Sequence, residues 1–259
     1  MDLGIANRKA IVCASSRGLG KACARALAEA GCEVVINGRD GKKLEAAAAE
    51  LASLTGAKIT AVAADVATAD GQKALLAACP APDILVNNNA GPPARDFREL
   101  TRTQMIDGVI ANMIVAIELI QKVIEPMSQR KFGRIVNITS GSVKMPLAGL
   151  DLSSGARAGL TAFLAGVART VADKNVTINN VLPGAFDTDR LRGVLSKTAE
   201  QKGKSVTQVA ADRIATIPAR RFGDPAEFGA ACAFLCSAQA GYITGQNLLI
   251  DGGTFNGAF

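Results

Sequence analysis

Short apolar runs alternate with amphipathic stretches along the chain. KAIVCA, residues 9 to 14, is followed by the glycine-containing turn SSRGLG and then by a helix-period segment through about Ala30. The same rhythm returns with EVVIN (33 to 37) before a helix over 40 to 54, and with KITAVAAD (58 to 65) before a helix ending near Cys79. DILVNN (83 to 88) precedes a long helix over 102 to 128, and GRIVNITS (133 to 140) precedes a helix over 153 to 173. NVTINNVLPG (175 to 184) and GQNLLIDGG (245 to 253) supply two further strands. Runs that are apolar throughout, rather than alternating, belong to strands covered on both faces, which is the condition of a parallel sheet. About seven such strands separated by helices predict a doubly wound parallel α/β sheet that binds ligands at the carboxyl ends of its strands. Residues 186 to 218 break the rhythm as short polar helices outside the sheet, and excursions of this length are commonly lids. No linker or repeat divides the rest, so residues 1–259 read as one domain.

Composition narrows the chemistry. The chain has 259 residues, is 49% hydrophobic and carries a formal charge of +6, which suits anionic ligands such as nucleotides or acyl thioesters. It contains no histidine, which removes Ser-His-Asp and Cys-His schemes and the commonest metal ligand. Its six cysteines lie in apolar settings without C-x-x-C spacing, so reduced core thiols are expected, with no metal site and no disulfide framework. No tryptophan and one tyrosine leave little to stack on a nucleobase, which argues against single-stranded nucleic acid as a partner. No apolar run approaches bilayer length and the N-terminus lacks the pattern of a signal peptide, so a cytoplasmic protein is expected.

The turn after the first strand carries the first candidate site. Ala14, Ser16, Arg17, Gly18, Leu19 and Gly20 join a strand to a helix, the context in which a glycine pattern points to a dinucleotide. Main-chain N–H groups at a helix N-terminus can hold a pyrophosphate, and this is the Rossmann-like arrangement. At the end of the second strand, an NAD site usually places a carboxylate on the ribose; here stand Asn37, Gly38 and Arg39. Arg17 and Arg39 can instead grip a 2′-phosphate, so the expected cofactor is NADP(H).

With these motifs assembled, the chain from about residue 6 to 253 resembles the short-chain dehydrogenase/reductase family, and within it the 3-oxoacyl-thioester reductase branch. DILVNNNAGPP is similar to that family's Asn-Asn-Ala-Gly motif, with Asn88 kept and Asn89 and Ala90 in place of Ala and Gly. The resemblance implies that Asp65 and Val66 contact the adenine, and that Pro183, Gly184 and Thr188 of VLPGAFDT border the nicotinamide. It also implies a homo-oligomer packed through the helices at 102 to 128 and 153 to 173.

The resemblance places Asn112 and Ser140 in catalytic roles. Counting on without a gap, it puts Ser153 and Arg157 where the family has its proton-donating tyrosine and the lysine four residues later. An aliphatic hydroxyl is a much weaker acid than a phenol, and a guanidinium keeps its proton, so the pair departs from ordinary proton transfer. Ser153 can donate a hydrogen bond to a carbonyl oxygen, and Arg157 can hold ribose or stabilise negative charge. Asp151 or Lys144 could supply the proton, whereas Tyr242 lies in a segment whose family counterpart is structural. Two readings stand: an NADP(H)-dependent oxidoreductase acting on a small carbonyl/alcohol pair, such as a 3-oxoacyl thioester, through a modified site; or an NADP(H)-binding pseudoenzyme serving as sensor or partner subunit.

Overall fold

The structure, a computed structural model, describes residues 2–258. Seven strands form one sheet: β1 (Lys9–Val12), β2 (Glu33–Gly38), β3 (Ile59–Ala63), β4 (Ile84–Asn87), β5 (Gly133–Ile138), β6 (Val176–Pro183) and β7 (Asn247–Ile250). Their spatial order is 3-2-1-4-5-6-7, and every pairing is parallel. The expected α/β class and strand number are therefore present. The order reverses between β1 and β4, which opens a crevice at the carboxyl ends of those two strands.

Burial follows from helices on both faces. Helices α1 (Gly18–Glu29), α2 (Gly41–Thr55) and α9 (Pro225–Leu235) cover a core containing Leu27, Leu44, Leu51, Val86 and Phe228. On the other face, α3 (Ala69–Ala78), α5 (Val115–Gln129) and α6 (Asp151–Thr170) cover Leu75, Leu85, Leu119, Ile135 and Leu164. Removing each such side chain from water contributes about 1.5–3 kcal/mol, and the two clusters together hold the layers in register. All six cysteines are free and buried.

Two sequence expectations need correction. The helix expected over 102 to 128 comprises α4 (Arg102–Val109), a π-helical turn over Ile110–Ile114, and α5. Such bulges insert an extra residue into the helical ladder and recur at functional sites. Sequence periodicity misses one because the apolar pattern merely slips in phase. The continuous run Arg102–Gln129 is also long and apolar enough, by length and composition, to cross a bilayer, with mean hydropathy 1.5 over its best 18-residue stretch. Its Leu119, Ile120, Val123 and Met127 are nonetheless packed against the sheet.

Helices α7 (Asp189–Lys202) and α8 (Val206–Ala215) occupy most of the segment that breaks the strand-helix rhythm. They pack on one another through Leu191, Leu195, Ala199 and Val209, a small core of their own. The main chain enters and leaves this unit side by side, where Phe186 bridges Gly223.

A row of side-chain amides crosses the sheet at one level. Asn87 donates to Asn137 Oδ1 (2.9 Å), Asn137 donates to Asn180 Oδ1 (3.0 Å), and Asn180 donates to Asn247 Oδ1 (2.8 Å). These residues are paired across β4, β5, β6 and β7, so the register itself aligns them. Asn137→Ala would orphan Asn87 Nδ2 and Asn180 Oδ1 in the interior. It should lower unfolding free energy by about 2–4 kcal/mol, read as a lower urea midpoint at unchanged slope.

Candidate active site

The glycine turn and the crevice meet at Ala14. Its N–H donates to Asn37 Oδ1 (3.3 Å), and its carbonyl accepts from Asn88 Nδ2 (3.1 Å), so one residue ties the carboxyl ends of β1, β2 and β4 together. Ala14 adopts φ +44°, the left-handed region that favours glycine. Gly18 follows at φ +59°, and a Cβ on Gly20 would lie 2.5 Å from the Ala14 carbonyl oxygen and 2.9 Å from Asn88 Nδ2. The left-handed backbone at Gly18 and the crowding at Gly20 therefore hold the loop close to the start of α1, where main-chain N–H groups can meet a pyrophosphate. Ser16 packs on Gly38, while Leu19 points into the core cluster beneath α1.

Around the rim, the predicted residues divide between exposed and internal positions. Arg17 is exposed, and Arg39 reaches to 3.9 Å from Asp65 while most of its side chain remains in solvent. Both guanidiniums face solvent, so a phosphate can meet Arg17 directly and Arg39 in exchange for its contact with Asp65. Asn37 is spent internally: its Nδ2 donates to the carbonyls of Val62 and Ala64, both at 3.0 Å. It staples the loop and has no donor left for a ribose. Val66 is likewise buried, in the core cluster with Leu75 and Leu85. Thr188 caps α7, and its methyl group comes within 3.9 Å of the Cβ position of Gly18. Gly184 lets β6 pass close to Asp251, where a Cβ would meet that residue's Cβ at 2.6 Å. Pro183 turns its carbonyl toward Gly141.

Ser153 and Arg157 are four residues apart on α6 and so share one face. Arg157 is only 7% exposed. Its Nε–H donates to Ser153 Oγ (3.2 Å), and Nη1 donates to the carbonyls of Ile138 (2.9 Å) and Thr139 (3.0 Å) at the end of β5. Ser153 Oγ is therefore an acceptor toward the cation, and its own proton is free to be donated elsewhere. Burial, and secondarily the charge of Arg190, draw Arg157 down to about 10, which still leaves it protonated at neutral pH. Next along the chain from Thr139, Ser140 Oγ accepts from the N–H (3.1 Å) and the hydroxyl (2.9 Å) of Ser142, which frees the Ser140 proton in the same way.

Beside Arg157 lies a cavity of about 20 Å³, lined by Asn87, Asn88, Asn89, Asn112, Asn137 and Arg157 among others. That volume suits one water molecule. Asn112 sits in the π-helical turn, where its Nδ2 donates to the Gly108 carbonyl (3.1 Å). Asn89 Nδ2 fixes the same turn through the carbonyl of Ala111 (3.2 Å), and Ala90 is exposed at the mouth. The Oδ1 atoms of Asn87 and Asn112 are buried and have no partner among the described residues. Sequence reasoning missed Asn87, Ser142 and Arg190. Ser142 could have been found as a second hydroxyl two residues after Ser140, and Arg190 as a cation two residues after Thr188.

Among the described residues, none of the alternative proton sources hydrogen-bonds to Ser153 or Arg157. Asp151 is exposed at the first turn of α6, where its Oδ2 accepts from the Gly149 N–H (3.1 Å). Lys144 Nζ lies 5.6 Å from the centre of the Phe255 ring, and Tyr242 is fully exposed.

Comparison with known proteins agrees with this geometry. The family described as enoyl-(acyl carrier protein) reductase matches residues 13–254. The chain is 32% identical to the 3-oxoacyl-[acyl-carrier-protein] reductase FabG of Aquifex aeolicus, over 98% of this chain and 100% of that protein. It is 30% identical to the NADPH-dependent reductase BacG of Bacillus subtilis, over 96% of this chain and 98% of that one. Among solved structures, L-sorbose reductase from Gluconobacter frateurii, complexed with NADPH and L-sorbose, superposes with TM-score 0.94 at 27% identity, over 99% of this chain and 100% of that one. A match over nearly the whole chain, together with the strand order and the glycine cradle, shows that this chain belongs to the short-chain dehydrogenase/reductase family.

Proposed function

We propose that the chain is an NADP(H)-dependent oxidoreductase that interconverts a carbonyl and an alcohol, with Ser153 and Arg157 acting as a modified proton-transfer pair. The observation that carries this reading is the bond from Arg157 Nε–H to Ser153 Oγ, which leaves the serine proton to be given. The cradle at Gly18 and Gly20 fits the cofactor's pyrophosphate, Arg17 and Arg39 would hold its 2′-phosphate, and Asp65 and Thr188 border the rest of its path. When bound there, NADPH supplies a hydride to the carbonyl carbon.

Ser140 and Ser153 orient the carbonyl oxygen by donating to it. As that oxygen gains charge, Ser153 gives up its proton, and the fixed cation of Arg157 stabilises the negative charge left on the serine. The unpaired Asn87 and Asn112 carbonyl oxygens can hold a water beside Arg157, and bulk solvent supplies the proton that restores Ser153 once the alcohol leaves. The names of the relatives, FabG above all, support 3-oxoacyl thioesters as one substrate class. Ile106, Ile110 and Ile114 along α4 and the π turn, with Phe163 on α6, are exposed apolar side chains that support assembly into a homo-oligomer.

Reduction should be read as NADPH consumption across a panel of 3-oxoacyl thioesters, diketones and sugar-derived ketones. Ser153→Ala is expected to cut kcat by roughly 10²–10⁴-fold with NADPH affinity retained. Tight NADPH binding without turnover on any of these compounds would instead favour a nucleotide-binding sensor or partner subunit. Arg39→Ala should weaken NADPH binding about 10-fold or more while leaving NADH binding unchanged, as measured by titration calorimetry. Light scattering of the purified chain should give a mass that is a multiple of the single chain, and Phe163→Glu should shift it toward the single-chain mass.

A further inference from the structure

Arg157 on α6 and Arg190 on α7 meet over one glycine. A Cβ built on Gly91 would lie 3.0 Å and 3.3 Å from Nη2 and Nη1 of Arg190, and 3.6 Å from Nη2 of Arg157. Nη2 is the corner of Arg157 that makes no hydrogen bond among the described residues, since Nε and Nη1 are committed to Ser153, Ile138 and Thr139. Arg190 makes neither a hydrogen bond nor an ion pair among those residues. The carboxylates beside it in sequence, Asp187 and Asp189, both pair with Arg192, at 3.0 Å and 3.2 Å.

The other buried arginine shows what a purely structural guanidinium looks like here. Arg134 is 1% exposed and uses all three nitrogens on the Ser237, Gly133 and Asn175 carbonyls and on Asn175 Oδ1. Arg157 keeps one nitrogen unused, aimed at a second unpaired cation. Like charges held this close, one of them largely withdrawn from water, repel unless an anion lies between them.

We infer that Arg157 and Arg190 together bind a carboxylate carried by the carbonyl substrate, which makes free oxo acids, rather than 3-oxoacyl thioesters, the class this pocket takes. The inference rests on the proposed function, because that reading puts the reacting carbonyl at Ser153. The cofactor's pyrophosphate has its own place at the start of α1, whereas Arg157 touches Ser153 directly and so sets the anion next to the carbonyl. Two guanidiniums match a carboxylate's two oxygens in the way a single lysine would not. Since Arg190 belongs to α7, the acid also gives that helix pair a contact with α6 across the crevice.

Matched probes test this. NADPH oxidation would be followed with pyruvate against methyl pyruvate and with acetoacetate against methyl acetoacetate, for the native chain, Arg190→Ala and Arg190→Lys. The native chain should prefer the acids, and Arg190→Ala should reduce the acid-to-ester ratio of kcat/KM by about 10- to 100-fold, with part of the ratio restored in Arg190→Lys. Equal use of acid and ester by the native chain would overturn the inference while leaving the reductase reading intact. A loss of NADPH affinity in Arg190→Ala, with the ratio unchanged, would overturn it by assigning the anion to the cofactor. If no compound is turned over, the proposed function fails first, and thermal unfolding with NADPH present decides the inference: a Tm raised by malonate but not by dimethyl malonate, and lost in Arg190→Ala, supports it, and equal shifts sink it.

Discussion

A guanidinium taken out of water must find acceptors, and the ones Arg157 finds set the geometry of the whole site. Two are the last carbonyls of β5, at Ile138 and Thr139, and the third is the hydroxyl of Ser153 one helical turn away. Those bonds pin α6 to the carboxyl edge of the sheet. They also occupy a serine lone pair and leave its proton uncommitted. Leaving Arg157 buried with fewer acceptors would cost several kcal/mol, so the helix, the strand end and the hydroxyl are held as one piece.

Around that cation, the crevice is organised by amides more than by charges. Asn37 and Asn88 grip Ala14 from two strands, Asn89 and Asn112 shape the π-helical turn, and Asn87 faces the same cavity. Amides suit this task because each carries donors and acceptors without the desolvation cost of a full charge. The other charged groups stay at the rim, where Arg17 and Arg39 remain in solvent and Asp65 is half-buried.

Much of this was legible before any coordinates. The apolar runs gave the strands because a strand buried on both faces cannot hide its composition, and Gly18 and Gly20 announced a cradle because they open a helix directly after β1. Ser153 and Arg157 could be seen to share a face from their spacing alone. Other features left no periodic trace. The π-helical turn shifts phase by one residue without altering composition, and the burial of Arg134 depends on acceptors from residues as distant in sequence as Ser237. The inward use of Asn37 was hidden for a related reason: its partners at Val62 and Ala64 arrive from β3 and the residues just after it. Arg190 looked like one polar residue among many in a segment that breaks the rhythm of the sheet.

The amide row across β4 to β7 has a polarity. Each member gives its hydrogen to the next strand outward, ending at exposed Asn247, so the sequence of dipoles runs in one sense from the cavity to the surface. Reversing a single amide would set like atoms against each other at both of its neighbours, and Asn137 Nδ2 also donates to the Asn179 carbonyl (3.3 Å), a main-chain acceptor that fixes the sense of the whole row. The group that Asn87 turns toward the cavity, its unpaired Oδ1, is thereby set from a main-chain carbonyl of β6. The crevice therefore keeps an acceptor at Asn87 whatever partner meets the outer edge at Asn247.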